Sequence, residues 1–157
     1  MSRSSSSARP TADETYLAMV KLIEKHSTCH SLKVGSLITK GGHPVTSGYN
    51  GVPSNFPHCS DLFGPGGELE GTNHHDWSKW RELHAEENAI VFAARQGISI
   101  DGGTLYSTVC PCLKCSSIIA AAGIVRVVFA KYYARDAKHE GEALMRQAGI
   151  EVVHVPE

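Results

Sequence analysis

Residues 102–130 read GGTLYSTVCPCLKCSSIIAAAGIVRVVFA, and the fold turns on how this run is divided. The first eight residues, GGTLYSTV, have the β-rich composition of a strand. Cys112 to Ala122 is a helix, with Pro111 just ahead of it and Gly123 just behind, the expected start and stop asymmetry. IVRVVFA, residues 124–130, is then a strand of buried character. A strand, a helix and a strand in succession imply a parallel crossover, because parallel neighbours cannot be joined by a tight turn.

Working outward, His139 to Ala148 is a helix ended by Gly149, and IEVVHV, residues 150–155, is a last strand. On the N-terminal side a helix is expected from near Trp80 to Gln96, with Gly97 as its stop. Val34–Lys40 and Val45–Tyr49 read as a β-hairpin turned by GGHP, residues 41–44. Tyr16, Leu17, Val20 and Ile23 recur at helical spacing within Asp13–Lys25. Val52 to Trp77, rich in Gly, Pro, Asn and His, reads as a long loop, and loops of that length are usually functional or tied down. The expected architecture is a three-layer α/β/α sandwich around a mixed five-stranded sheet that begins as a hairpin. It would occupy residues 13–157 as one domain, after a loosely held tail at residues 1–12.

The chain has 157 residues, enough for one domain with a substantial core. Its net charge of −1 argues against a protein built to hold long nucleic acid. No apolar run approaches the roughly 20 residues of a membrane span, and the N-terminus lacks the apolar core of a secretory signal, so a cytoplasmic location is expected. The five cysteines are an odd number, with Cys110, Cys112 and Cys115 inside six residues. That is a poor disulfide framework and points instead to metal or redox chemistry.

Cys112 and Cys115 are three apart at a helix start, so both sulfurs share one face where free N–H groups and the helix dipole favour thiolate. Two thiolates call for a borderline or soft cation, with zinc the default. His84, in ELHAEENAI (residues 82–90), is the natural third ligand. Three protein ligands leave one tetrahedral position for water, the mark of a catalytic site. That gives Glu86 a role, since a carboxylate beside such a water can carry its proton to a substrate nitrogen. CxxC alone could be a redox pair, a zinc knuckle or chance. Together with HAE it resembles the H-x-E…P-C-x-x-C pattern of zinc deaminases.

Cys29 and Cys59 can be read as buried structural cysteines. They can also be read, with His74 and Glu82, as a second zinc site stapling the long loop to the core.

GYNGVP (residues 48–53), HAEENAIVFAA (84–94) and CPCLKC (110–115), in this order and spacing, resemble the deoxycytidylate (dCMP) deaminases, the bacteriophage form above all. The resemblance runs from about Lys21 to Pro156. It implies hydrolysis of dCMP to dUMP for thymidylate synthesis, in a homohexamer activated by dCTP and inhibited by dTTP, each with Mg2+. It implies zinc on His84, Cys112 and Cys115, Glu86 as acid and base, and a second, structural zinc on Cys29, Cys59, His74 and Glu82. It gives Asn50 a sugar hydroxyl and sets Tyr133 near the base or sugar. Gly48, Tyr49 and Gly51 are linked by it to the effector site, and Arg95 to subunit contacts. Two departures stand out. Cys110 replaces a small hydroxyl residue, and the loop between Asp61 and Asn73 is shorter.

The 5′-phosphate needs cations, and Lys33, Lys131, Arg135 and Lys138 are the candidates. Tyr49, Trp77 and Trp80 read as packing rather than base-stacking platforms. Two other functions share parts of this pattern. A transfer-RNA adenosine deaminase carries HxE and PCxxC but should be basic, and a silent nucleotide-binding zinc protein would have no use for Glu86.

Overall fold

The computed structural model describes residues 8–63, 68–69 and 72–157. Residues 1–7 of the expected tail, and 64–67 and 70–71 of the expected loop, lie outside the described residues. Helix α1 spans Ala12–Ile23 and continues into a 3-10 turn over Glu24–His26. The Thr11 hydroxyl accepts from the Glu14 N–H while the Glu14 carboxylate accepts from the Thr11 N–H, a reciprocal cap for otherwise orphaned donors. Ala12, assigned to the tail by sequence, is therefore helical.

Strands β1 (Gly35–Lys40) and β2 (His43–Tyr49) form the expected hairpin. Its turn is shorter than GGHP. Gly41 (φ 59°) and Gly42 (φ 78°) make it alone, supplying the two left-handed positions of a type I′ turn. His43 and Pro44 belong to β2, which lies at the sheet edge where proline is tolerated. The register shifts beside Pro44, between Ile38 and Thr39.

The segment expected to be loop holds short elements: helix α2 (Cys59–Leu62), the two-residue strands β3 (Glu68–Leu69) and β4 (Thr72–Asn73), and helix α3 (His74–Arg81). The remaining elements are α4 (Ala85–Gln96), β5 (Thr104–Val109), α5 (Leu113–Ala121), β6 (Arg126–Lys131), α6 (Glu140–Gln147) and β7 (Glu151–His154). The single helix expected from Trp80 to Gln96 is thus two helices, interrupted by an extended run at Glu82–His84. Leu83 exchanges two backbone hydrogen bonds with Gly51, of 3.0 and 2.9 Å, so its backbone is committed to a bridge rather than to a helix.

The main sheet has the order β2-β1-β5-β6-β7. β1 runs antiparallel to β2 and β5, while β5, β6 and β7 are parallel, as the crossover reading requires. Alternation of side chains explains the layers. Leu37, Tyr106 and Val128 stand in register across three strands and meet Leu17 and Val20 of α1. Their sequence neighbours Ile38, Leu105 and Val127 point the other way, onto Ala89 and Ala93 of α4, Ile119 of α5 and Met145 of α6. Each fully buried aliphatic side chain contributes about 1.5–3 kcal/mol. A third cluster, Cys29, Cys59, Phe63 and Trp77, holds α2 and α3 together beneath the site.

Candidate metal centre and active site

Two parallel strands, β5 and β6, end at the same edge of the sheet, and the loop after β5 carries Cys110, Pro111 and Cys112 into the start of α5. Cys112 is the N-cap of that helix and Cys115 lies in its first turn. His84 is likewise the N-cap of α4. Two helix N-termini therefore converge. The His84 Nδ1 atom lies 3.5 Å from the Cys112 Sγ and 3.3 Å from the Cys115 Sγ. Zinc bonds of about 2.3 Å to sulfur and 2.0–2.1 Å to nitrogen at a tetrahedral angle require a separation of about 3.5 Å. The donor set and its spacing fit zinc.

The electrostatics agree. The Cys112 thiol is lowered to about 4 by the Cys115 thiol and the His84 ring, and Cys115 is raised as the group that donates to it. The hydrogen bond to Cys112 lifts His84 to about 9. Glu86, in the first turn of α4, is 4% exposed, and burial pushes its carboxyl up to about 7 against the pull of its own backbone N–H and of His84. Ser107 of β5 donates to it at 3.4 Å. A carboxyl that titrates near neutrality both accepts and returns a proton readily.

The second group also comes together. The ligand atoms of Cys29, Cys59, His74 and Glu82 lie within 4.8 Å of one another, although the residues span more than fifty positions. His74 Nε2 is 2.9 Å from the Cys59 Sγ and 3.9 Å from the Cys29 Sγ. The Glu82 Oε1 atom is buried with no hydrogen-bond partner. A buried carboxylate oxygen left unpaired costs several kcal/mol, which a cation bound by this two-thiol, imidazole and carboxylate set would remove. The break between α3 and α4 matters here, since its two ends, Glu82 and His84, each serve a different cluster.

One pocket of about 400 Å³ joins these parts. His84, Glu86 and Cys112 line it with Asn50, Tyr133 and Arg135, and so do Cys29, His74 and Glu82. Asn50 has both ends of its amide engaged: it accepts from the Val34 N–H at 2.8 Å and donates to the Leu32 carbonyl at 2.7 Å. It holds the 32–34 wall and retains one N–H and one lone pair for a ligand. Of the four expected phosphate cations only Arg135 is in the wall; Lys33, Lys131 and Lys138 are not. Lys79 and Lys114 are, and sequence reasoning missed both. For Lys79 the signal was Asn73, whose side chain caps the His75 N–H and starts a helix six residues earlier than expected.

Of the four residues expected at an effector site or subunit contact, Gly48, Tyr49 and Gly51 have clear structural partners. A Cβ on Gly48 would fall 2.4 Å from the Ala85 carbonyl oxygen and 2.6 Å from the Ala89 nitrogen, so only glycine lets β2 approach α4 this closely. The Tyr49 carbonyl accepts from Asn88 at 2.7 Å and its ring stacks on His26. Gly51 is the bridge partner of Leu83. Arg95 is exposed in the last turn of α4, outside the pocket wall. Trp77 is core, as expected, but Trp80 is 80% exposed, with Lys79 over its ring.

The family model for the cytidine and deoxycytidylate deaminase zinc-binding region matches residues 10–131. The deoxycytidylate deaminase of enterobacteria phage T4 is 35% identical over 172 aligned residues, covering 90% of this chain and 89% of that one. That of mycobacterium phage D29 is 36% identical over 129, covering 79% and 98%. Among solved structures, dCMP deaminase of cyanophage S-TIM5 in complex with dCMP and dUMP superposes with a TM-score of 0.77 at 33% identity, over 94% of this chain and 98% of that one.

Proposed function

Because the chain belongs to the cytidine and deoxycytidylate deaminase family, we propose that it is a hydrolase converting dCMP and water to dUMP and ammonia. The observation that carries this reading is Glu86, a carboxyl buried in the wall of the pocket that His84 and Cys112 also line. Neither ligation nor packing needs a carboxyl there, which argues against a silent zinc protein. His84, Cys112 and Cys115 would hold a zinc ion, which would supply a water acidified to a pKa of about 7. Glu86 takes a proton from the attacking water and delivers it to N3 of the cytosine ring. It then carries the second proton to the 4-amino group, which leaves as ammonia. Ser107 keeps the carboxyl aimed through its 3.4 Å hydrogen bond.

Asn50 and Tyr133 form the wall for the sugar and base, and Arg135 and Lys79 supply positive charge for one phosphate. The structure of the cyanophage relative with dCMP and dUMP supports a nucleotide over an oligonucleotide, as does the net charge of −1. We further propose a structural zinc on Cys29, Cys59, His74 and Glu82, making two per chain. Regulation by dCTP and dTTP, each with Mg2+, would act through Gly48–Gly51 and Arg95 in a homohexamer. Among the described residues no helix is long and apolar enough to cross a membrane, and we assign the protein to the cytoplasm, that of the host for a phage enzyme. An ammonia-release assay on dCMP, deoxycytidine, dCTP and an adenosine-containing RNA hairpin tests the substrate, with dCTP or dTTP added to read regulation. Turnover of dCMP well above the others is expected. Preference for the hairpin would overturn the assignment.

A further inference from the structure

Glu87 takes no part in the chemistry above, yet it is only 5% exposed and both its oxygens are engaged. One accepts from the His84 backbone N–H at 2.8 Å, and the other accepts from the Lys114 ammonium at 2.7 Å. His84 brings the imidazole. Lys114 is the second of the two residues between Cys112 and Cys115. A single buried carboxylate thus ties together the two segments that carry all three ligand atoms of the first centre.

A helix cap alone would not need this. Glu14 makes the same backbone bond at the start of α1, but it is exposed and its hydrogen bonds all go to Thr11. Glu87 instead spans from α4 to α5, elements that share no strand ladder. The imidazole-to-sulfur separations of 3.5 and 3.3 Å already suit a tetrahedral ion. Something must hold them there while thiolate and imidazole are free to swing. We propose that Glu87 and Lys114 form a positioning pair that sets the separation of His84 from the cysteine pair, and with it the affinity and geometry of the metal centre. The inference rests on the zinc reading of that centre.

The test uses the full chain and five variants: Glu87→Gln, Lys114→Met, the double variant, Glu14→Gln as a capping control, and Cys112→Ser as the reference lacking this centre. Zinc affinity is measured by competition with a chromophoric chelator, and geometry by the thiolate-to-metal and d–d absorption bands of the cobalt(II) form. Signals lost in Cys112→Ser belong to this centre. Glu87→Gln and Lys114→Met are each expected to weaken zinc by about 10–100-fold, to shift the cobalt bands, and to add nothing to one another when combined. Glu14→Gln should lower thermal stability while leaving both metal readouts alone. Lys114 is largely exposed, so its variant folds even if Glu87→Gln does not. Affinities within a factor of about two of the parent with unchanged bands, or a double variant showing the full sum of the losses, would overturn the proposal. An unsubstituted chain with no thiolate–cobalt band would instead remove the zinc reading itself, and this inference with it.

Discussion

At the scale of single residues, burial decides which side chains are reactive. Glu86 and Cys110 both face the pocket and both are buried, but the consequences differ. Burial brings the Glu86 carboxyl to about 7, where it exchanges protons. Burial pushes the Cys110 thiol up to about 12, so it stays protonated and serves as a small apolar filler whose S–H points to the Pro111 carbonyl. Among the described residues Cys110 belongs to neither group of candidate ligand atoms. Cys110→Ser, which restores a hydroxyl of similar size, should retain zinc and keep kcat/KM for dCMP within about tenfold. A loss of more than about a hundredfold, with zinc still bound, would mean that this thiol takes part in the chemistry.

At the scale of elements, close contacts transmit local substitutions to the site. Gly48→Ala would push a methyl group into the first turns of α4, against the Ala85 carbonyl. Overpacking of this kind costs about 1–3 kcal/mol, and here it displaces the turn that carries Glu86. Chemical denaturation should report the destabilisation, and kcat should fall in the same variant. On the opposite face, Asp13 of α1 accepts two hydrogen bonds from Arg126 of β6, both at 2.8 Å, and a third from Tyr106 of β5 at 2.9 Å. Arg126 holds the Asp13 carboxyl below its ordinary value despite partial burial. That stabilisation is present above pH about 4 and is lost as pH falls through the lowered folded-state value. Asp13→Asn should thus cost about 1–2 kcal/mol at neutral pH. The gap between the two proteins should close as urea titrations are moved below pH about 4.

These same elements mark what is legible in the sequence alone. The strand–helix–strand run at 102–130, the hairpin and the last helix and strand are legible, because each has a strong period and Gly or Pro at its ends. The grouping of His84, Cys112 and Cys115 is legible through local motifs. The break at Glu82–His84 is not, since no Gly or Pro marks it; it is imposed by pairing with Gly51, more than thirty residues away. Glu87 escapes notice for the same reason, because its contact with Lys114 lies between segments, which composition and spacing do not encode; Lys79 differs, since the cap at Asn73 that places it on a helix is a local signal.

At the scale of the whole molecule, α4 has two sides. Ala89 and Ala93 meet the sheet, while Val91 and Phe92 are 53% and 48% exposed. Tyr49, also exposed, is tied to the start of the same helix through Asn88. In the proposed hexamer this apolar face would be covered by another subunit. Phe92→Asp should then lower the mass found by sedimentation without altering the circular dichroism spectrum, and should weaken any response to dCTP. A parent chain that sediments as a monomer would contradict the hexamer while leaving the chemistry untouched.

The central claim is that a zinc ion on one imidazole and two thiolates works with the carboxyl of Glu86. Its most direct test is the rate of ammonia release from dCMP by the Glu86→Gln variant, with metal content determined on the same sample. The account predicts zinc equal to the parent and a rate lower by about 10²–10⁴-fold. Undiminished turnover in that variant would contradict it.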